Sequence, residues 1–340
     1  MTSACLSAIE YYLPDIILDN ATIHTLHPEW SIEKVAAKTG IIDRHIAGAA
    51  EYSSDMAVHA AEALFNKTGM DRSRVDFLLF CTQSPDYILP TTACILQDRL
   101  GLRKEIGALD FNLGCSGFVY GLGLAKGLIV SGQARNVLLI TAETYSKFIH
   151  PDDKSNKTIF GDGAAAAIIS SNPEPGLSGE IMDFHYGTDG GGYQDLIIKN
   201  GGARYRYERG TDVMDQEMGG FVRNDDYLFM DGKAIFNFTA FNLPGLVKGT
   251  LEKNALTTEE IDLFVFHQSN EFMLQTARKR CNIPAEKFYI YLKRCGNTVS
   301  STIPIALKEA IREGRVRPGS IVLLAGYGVG LSMGATVLRF

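Results

Sequence analysis

Three side chains in this sequence could together do nucleophilic chemistry: the thiol of Cys115, the imidazole of His267 and the amide of Asn297. A thiol is a nucleophile, an imidazole is a base or a hydrogen-bond donor, and a primary amide is a donor for a developing oxyanion. Cys115 lies in "DFNLGCSGFVYGLGLA", where an apolar stretch gives way to small and apolar residues at helical spacing. A cysteine at a helix start faces free backbone N–H groups and the positive end of the helix dipole. Both favour a thiolate, so the position predicts a thiol pKa below the free value of about 8.5. His267 follows the apolar run of "FVFHQSN", and Asn297 opens "NTVSST". Each has a plainer reading: a buried cysteine as a small hydrophobe, a histidine satisfied in the core, an asparagine capping a helix.

The elements that must position these groups alternate along the chain. Segments 75–81, 136–141, 164–170, 261–266, 320–325 and 336–340 are short, apolar and bounded by turn residues, and they read as buried strands. Segments 54–67, 117–131, 236–253, 271–281 and 302–313 read as amphipathic or buried helices. Such alternation predicts an α/β fold with helix-covered, mostly parallel sheets. Segment 187–231 is rich in Gly, Arg, Tyr and Asp with weak periodicity, so it reads as a long connection with at most short strands.

The pattern is written twice. "DRSRVDFLLFCTQS" resembles "TTEEIDLFVFHQSN", "SGQARNVLLI" resembles "EGRVRPGSIVLL", and "GDGAAAAII" resembles "SMGATVLRF", in the same order. Cys115 precedes Gly132 by 17 positions, and Asn297 precedes Gly314 by 17. The repeat divides the chain into halves 1–172 and 173–340 and places Cys115 and Asn297 at equivalent strand-to-helix turns. Sites in open α/β sheets form beyond the carboxyl ends of strands, so pseudo-twofold packing would bring Cys115, His267 and Asn297 together.

These residues carry a resemblance over essentially the whole chain. "KTGIIDRHIA" (38–47), "CSGF" (115–118), "FGDGAAAA" (160–167), "HQSN" (267–270), "GNTVSSTIP" (296–304) and the terminal "GYGVGLSMGATVLRF" resemble, in order and spacing, the β-ketoacyl-acyl carrier protein synthase III family of the thiolase superfamily. The resemblance implies a thiolase-like duplicated α-β-α-β-α five-layer fold and a homodimer. It implies a Cys115–His267–Asn297 triad at the bottom of a tunnel that admits a pantetheine arm. By the same resemblance, Cys115 attacks an acyl-CoA and the backbone N–H groups of Cys115 and Val329 form the oxyanion hole. His267 Nε2 and Asn297 Nδ2 then serve the enolate left when malonyl-acyl carrier protein loses CO₂. No metal or redox cofactor is implied. Trp30 fits the family's adenine-stacking tryptophan, and Leu89 the loop that reaches the partner's acyl pocket. Gln268 and Asn270 belong to the histidine motif. Lys38 and Lys147 stand where the family commonly has arginine, and Phe272 replaces the arginine that usually ends the carrier-docking stretch. Arginine grips phosphate bidentately and lysine does not, so these departures predict weak use of free acetyl-CoA. Arg278, Lys279 and Arg280 could partly compensate toward an acidic carrier.

Three other readings keep the fold and change the role. One is an acyltransferase that passes the cysteine-bound acyl group to an alcohol or amine. Another is a degradative thiolase, disfavoured because "GYGVG" lacks the second cysteine. The third is a catalytically silent partner subunit, disfavoured by the intact triad. A papain-type hydrolase conflicts with the duplication. Composition narrows the classes further. The 340 residues carry a net charge of −6, which gives no electrostatic case for nucleic acid. No apolar run approaches the roughly 18 residues of a membrane span. The start, "MTSACLSAIEYYLP", lacks the basic region of a secretory signal. Six scattered cysteines without CxxC pairs predict free thiols in a reducing cytoplasm.

Overall fold

The computed structural model describes residues 3–173, 176–207, 213–215 and 221–340. Ten strands form one continuous sheet: β1 (Cys5–Tyr12), β2 (Phe77–Cys81), β3 (Gly107–Phe111), β4 (Asn136–Glu143), β5 (Gly163–Ser170), β6 (Gly179–Thr188), β7 (Leu263–Phe266), β8 (Phe288–Tyr289), β9 (Ile321–Gly328) and β10 (Ser332–Arg339). Their order is β8-β7-β9-β10-β6-β1-β5-β4-β2-β3. Adding five to each strand number of one half generates the other half, so the strand order itself is duplicated. Within the sheet the halves join where Cys5 and Leu6 of β1 pair with Glu180 and Gly179 of β6.

Six helices repeat in the same way: α1 (Ser53–Thr68), α2 (Thr92–Arg99), α3 (Gly117–Val130), α4 (Gly232–Lys253), α5 (Glu271–Arg280) and α6 (Thr302–Arg312). Three cores account for the layers. On β4, Leu138 and Ile140 pack outward with Ala57, Ala60 and Leu64 of α1, while Val137 and Leu139 pack inward with Val119 and Leu122 of α3. The inner core also holds Ile303, Ala306 and Leu307 of α6, against Leu263 and Val265 of β7. A third core lies between α4 and the outer face of β7, β9 and β10. The result is helices, one half of the sheet, inner helices, the other half of the sheet, helices. Both faces of β4 are covered, which is why its "VLLI" (137–140) is an unbroken apolar run rather than an alternating one. Each such Leu or Ile contributes about 1.5–3 kcal/mol by leaving water.

The strands and helices read from sequence all appear, with ends shifted by a few residues, but the sheet is mixed rather than mostly parallel: β1–β5, β1–β6, β4–β5, β6–β10 and β9–β10 pair antiparallel. The sheet also recruits β1, β3, β6 and the two-residue β8, which are too short or too mixed in polarity to read as strands alone. In segment 187–231, Leu196–Ile197 pairs with Phe229–Met230 and Val213–Asp215 with Phe221–Arg223. Residues 208–212 and 216–220 of that segment lie outside the described residues.

Candidate active site

β3 ends at Phe111 and α3 begins at Gly117, so Cys115 occupies the turn between them. Gly117 is required there, because a Cβ would fall 2.3 Å from Cys81 Sγ. β9 crosses beneath the turn. Its Gly328 has φ +156°, and a Cβ on it would lie 2.7 Å from Cys115 Sγ. The absence of that Cβ lets the β9–β10 connection close over the sulfur.

His267 follows the last residue of β7, and its N–H bonds Ala325 O of β9 at 2.8 Å. Its Nδ1 lies 2.7 Å from Thr302 Oγ1, and its ring meets Tyr327 edge-on at 5.7 Å between centroids. Asn297 is clamped through its backbone: its N–H bonds Ile159 O at 2.9 Å and its carbonyl accepts from Gly161 N at 3.0 Å. Its Oδ1 accepts from Val299 N at 2.9 Å, which orients the amide and leaves Nδ2 as the free donor. Cys115, His267 and Asn297 are all buried, and all three line one cavity of about 580 Å³. A larger depression of about 740 Å³, near His150, Tyr193 and Tyr205, contains none of them.

The electrostatics of Cys115 differ from the sequence expectation. Burial pushes its thiol up to about 12, the Val329 and Cys115 backbone N–H groups oppose the rise, and the Glu143 carboxylate adds to it. The helix start therefore does not produce a resting thiolate, because removing the sulfur from water outweighs the donors it gains. Burial also drives His267 down to about 3. The resting pair is a neutral thiol and a neutral imidazole.

The cavity runs from this buried base to an exposed mouth. Lys34 and Lys38 of the short helix Ile32–Thr39, with Lys154 and Lys233, line it beside Phe236 and Phe272. Phe272 is 57% exposed and stacks on Phe236 at 5.7 Å. The lysines add cations at the mouth that the sequence argument did not count, as point charges rather than the bidentate guanidinium grip with which that argument was concerned. Asn270 caps α5 by accepting from Met273 N at 2.9 Å and also lines the cavity. Its cap is a local structural task that the motif did not reveal.

Other residues singled out from sequence do not line this cavity. Trp30 is 6% exposed and stacked on His27 at 3.9 Å, so it has no free face for an adenine. The Gln268 side chain donates to Phe266 O at 2.6 Å and accepts from Tyr291 N at 2.7 Å, which ties β7 to the chain after β8. Lys147 donates to Gly48 O at 2.8 Å and Ala49 O at 3.2 Å, and lines a separate depression with Val329 and Tyr87. Leu89 is exposed on the loop after β2, away from this chain's own cavity.

One group near the site was not legible in the sequence. Glu143 ends β4 fully buried, accepting from Gln83 N at 3.0 Å, Ser84 Oγ at 3.1 Å and Ser300 Oγ at 2.8 Å. Its only signal was an acidic residue closing an apolar strand. Burial raises its pKa from 4.5 to about 8, against those three donors. A raised carboxyl stabilises the fold fully below pH 4.5 and loses that contribution as pH rises toward 8. Glu143→Gln keeps the shape and cannot ionise. Wild type is therefore expected to lose up to roughly 5 kcal/mol more than the variant between pH 4.5 and 8. Asp162, raised to about 6 by burial, is present in both proteins, and in wild type its charge adds to the rise of Glu143. Urea unfolding at pH 5 and pH 8.5 measures the difference, and parallel pH slopes would refute the assignment.

Five layers built from a duplicated α/β unit, with cysteine, histidine and asparagine on one deep cavity, define a thiolase-fold condensing enzyme. Comparison with known proteins agrees. Residues 109–190 match the family model described as 3-oxoacyl-[acyl-carrier-protein (ACP)] synthase III, and residues 251–340 match its C-terminal counterpart. The chain is 35% identical to the β-ketoacyl-[acyl-carrier-protein] synthase III of Caldanaerobacter subterraneus subsp. tengcongensis, over 97% of this chain and 95% of that protein. A solved 3-oxoacyl-(acyl-carrier-protein) synthase III superposes with a TM-score of 0.95 at 44% identity, covering 99% of this chain and 100% of the other. The priming β-ketosynthase of the R1128 polyketide pathway superposes at 0.84 with 26% identity, covering 99% and 96%. The chain belongs to the 3-oxoacyl-[acyl-carrier-protein] synthase III family.

Proposed function

We propose that this protein condenses an acyl thioester, such as an acyl-CoA, with malonyl-acyl carrier protein through an acyl-Cys115 intermediate, in fatty acid or related acyl biosynthesis. The observation that carries this reading is the convergence of Cys115, His267 and Asn297 on one cavity, with two backbone N–H groups at the sulfur. In acylation, the Cys115 proton moves to His267 as the sulfur attacks, because both groups are neutral at rest. The Cys115 and Val329 N–H groups stabilise the tetrahedral oxyanion. The donor's thiolate leaves and takes a proton from solvent. Malonyl thioester then loses CO₂, and its enolate oxygen receives hydrogen bonds from Asn297 Nδ2 and the protonated His267 ring. The enolate carbon attacks the acyl-cysteine, and the expelled sulfur recovers its proton from His267. Loss of CO₂ supplies the carbanion, so the scheme requires no metal or redox cofactor.

The lysines at the mouth suit the phosphates of CoA or of a carrier's phosphopantetheine, and their charge suits an acidic carrier protein. Ile88 and Leu89, 87% and 79% exposed, suit burial against a second copy in a homodimer. Six free cysteines suit the reducing cytoplasm, where we place the protein. No helix among the described residues is long and apolar enough to cross a membrane. Intact-protein mass after incubation with a panel of acyl-CoAs, followed by CO₂ release on adding malonyl-carrier, tests the reading. An acyl adduct that passes to alcohols or amines without CO₂ would replace it with simple acyl transfer. No adduct from any donor would point to a silent subunit.

A further inference from the structure

His267 can receive a proton from Cys115 only on a bare ring nitrogen, so its tautomer decides whether it can act as the base. Its surroundings fix that tautomer. Thr302 Oγ1 lies 2.7 Å from His267 Nδ1 and 3.0 Å from the carbonyl oxygen of Val299. A carbonyl oxygen only accepts, so the single hydroxyl proton belongs between Thr302 and Val299. Thr302 then offers His267 a lone pair, and Nδ1 must carry the ring proton. The opposite arrangement would set the hydroxyl lone pairs against the Val299 carbonyl with no proton between them. The tautomer is thus assigned from the hydrogen-bond network.

Val299 itself is held in an uncommon conformation. Its φ is +55°, in the left-handed region that β-branched residues avoid. That twist sends its N–H to Asn297 Oδ1 at 2.9 Å and its carbonyl to the Thr302 hydroxyl. One fully buried residue therefore faces both partners of the cysteine, the amide through its N–H and the imidazole through its carbonyl, directly as well as by way of Thr302. Backbone strain of this kind persists only where the surrounding structure over-determines it.

We propose that Thr302 is a positioning residue that holds His267 in the Nδ1–H tautomer, through a relay ending on the Val299 carbonyl, and so presents a bare Nε2 to the thiol of Cys115. The inference rests on the reading above, in which His267 takes the thiol proton during acylation. In that step the S–H bond breaks and the Nε2–H bond forms. The sulfur keeps its electron pair and bonds the acyl carbon, and the donor's thiolate departs with the pair of the broken C–S bond. The ring then carries both protons, and Nδ1–H remains on Thr302.

The test separates the tautomer from the chemistry. Imidazole nitrogen NMR on the ring-¹⁵N-labelled full chain reads the tautomer without substrate, with His267→Ala identifying the resonances. Wild type is expected to show a protonated Nδ1 and a bare Nε2. Thr302→Val should shift the ring toward Nε2–H and slow acyl-enzyme formation by roughly 10²-fold, the lower end of what a general base supplies. Condensation from preformed acyl-enzyme should fall much less, because an Nε2–H ring is already a donor. Thr302→Ser should restore both the tautomer and the acylation rate. A wild-type ring protonated on Nε2 overturns the proposal whatever the kinetics. An unchanged acylation rate in Thr302→Val overturns the positioning role and leaves the acyl-cysteine reading intact.

Discussion

Cys115→Ala is expected to leave the fold standing and to abolish every covalent acyl adduct. The sulfur is buried, but its loss removes one atom, so the destabilisation should be about 1 kcal/mol. The loss of function should be complete. Cys81 Sγ also lies close to the turn, yet it donates to Leu113 O at 2.9 Å and does not line the cavity. Burial and the Glu143 charge hold its thiol well above the usual range. It therefore has neither access nor a base with which to replace Cys115. Intact-protein mass after incubation with acyl-CoA measures the adduct, and thermal unfolding checks the fold. An adduct of acyl mass on the variant would show that another side chain is the nucleophile.

The second large effect falls on Asn297. Its Nδ2 is the donor left free when Val299 N–H engages Oδ1. Asn297→Ala removes that donor but also leaves the Val299 N–H buried and unpaired, at about 1–3 kcal/mol. Asn297→Asp is the cleaner variant. It keeps an oxygen for Val299, has no N–H₂, and turns a negative charge toward the enolate. Condensation should fall by roughly 10²–10³-fold or more, the loss seen when one oxyanion donor is removed. Formation of acyl-Cys115 should change little, because its oxyanion is served by the Cys115 and Val329 N–H groups. Single-turnover assays that separate acyl loading from CO₂ release will show the split. Equal losses in both steps would mean that Asn297 does not serve the enolate. His267→Ala should lose both steps. That differs from the sequence expectation, in which histidine and asparagine served the enolate alone.

The sequence by itself determined the duplicated α/β pattern and picked out Cys115, His267 and Asn297, the three side chains that meet at the cavity. Apolar runs such as "VLLI" in β4 are visible because both faces of a buried strand must leave water. Cys115 and Asn297 are visible because the repeat sets them at equivalent turns. The short strands β3 and β8 were not legible, since a strand of few residues exists only when neighbours supply its hydrogen bonds. The state of the site was likewise decided in three dimensions. A helix start next to a cysteine predicts a lowered pKa, but depth of burial is a tertiary property, and here desolvation prevails. Trp30 and Gln268 carry the right side chains in matching motifs, yet packing covers one ring and commits the other side chain to backbone groups. Lys34, Lys154 and Lys233 were passed over because residues from three separate segments meet at the mouth only after folding. Glu143, Thr302 and Val299 belong to the same class. Their importance lies in what they touch, and distances of about 3 Å between residues far apart in the chain are set by the packed sheets rather than by any local pattern.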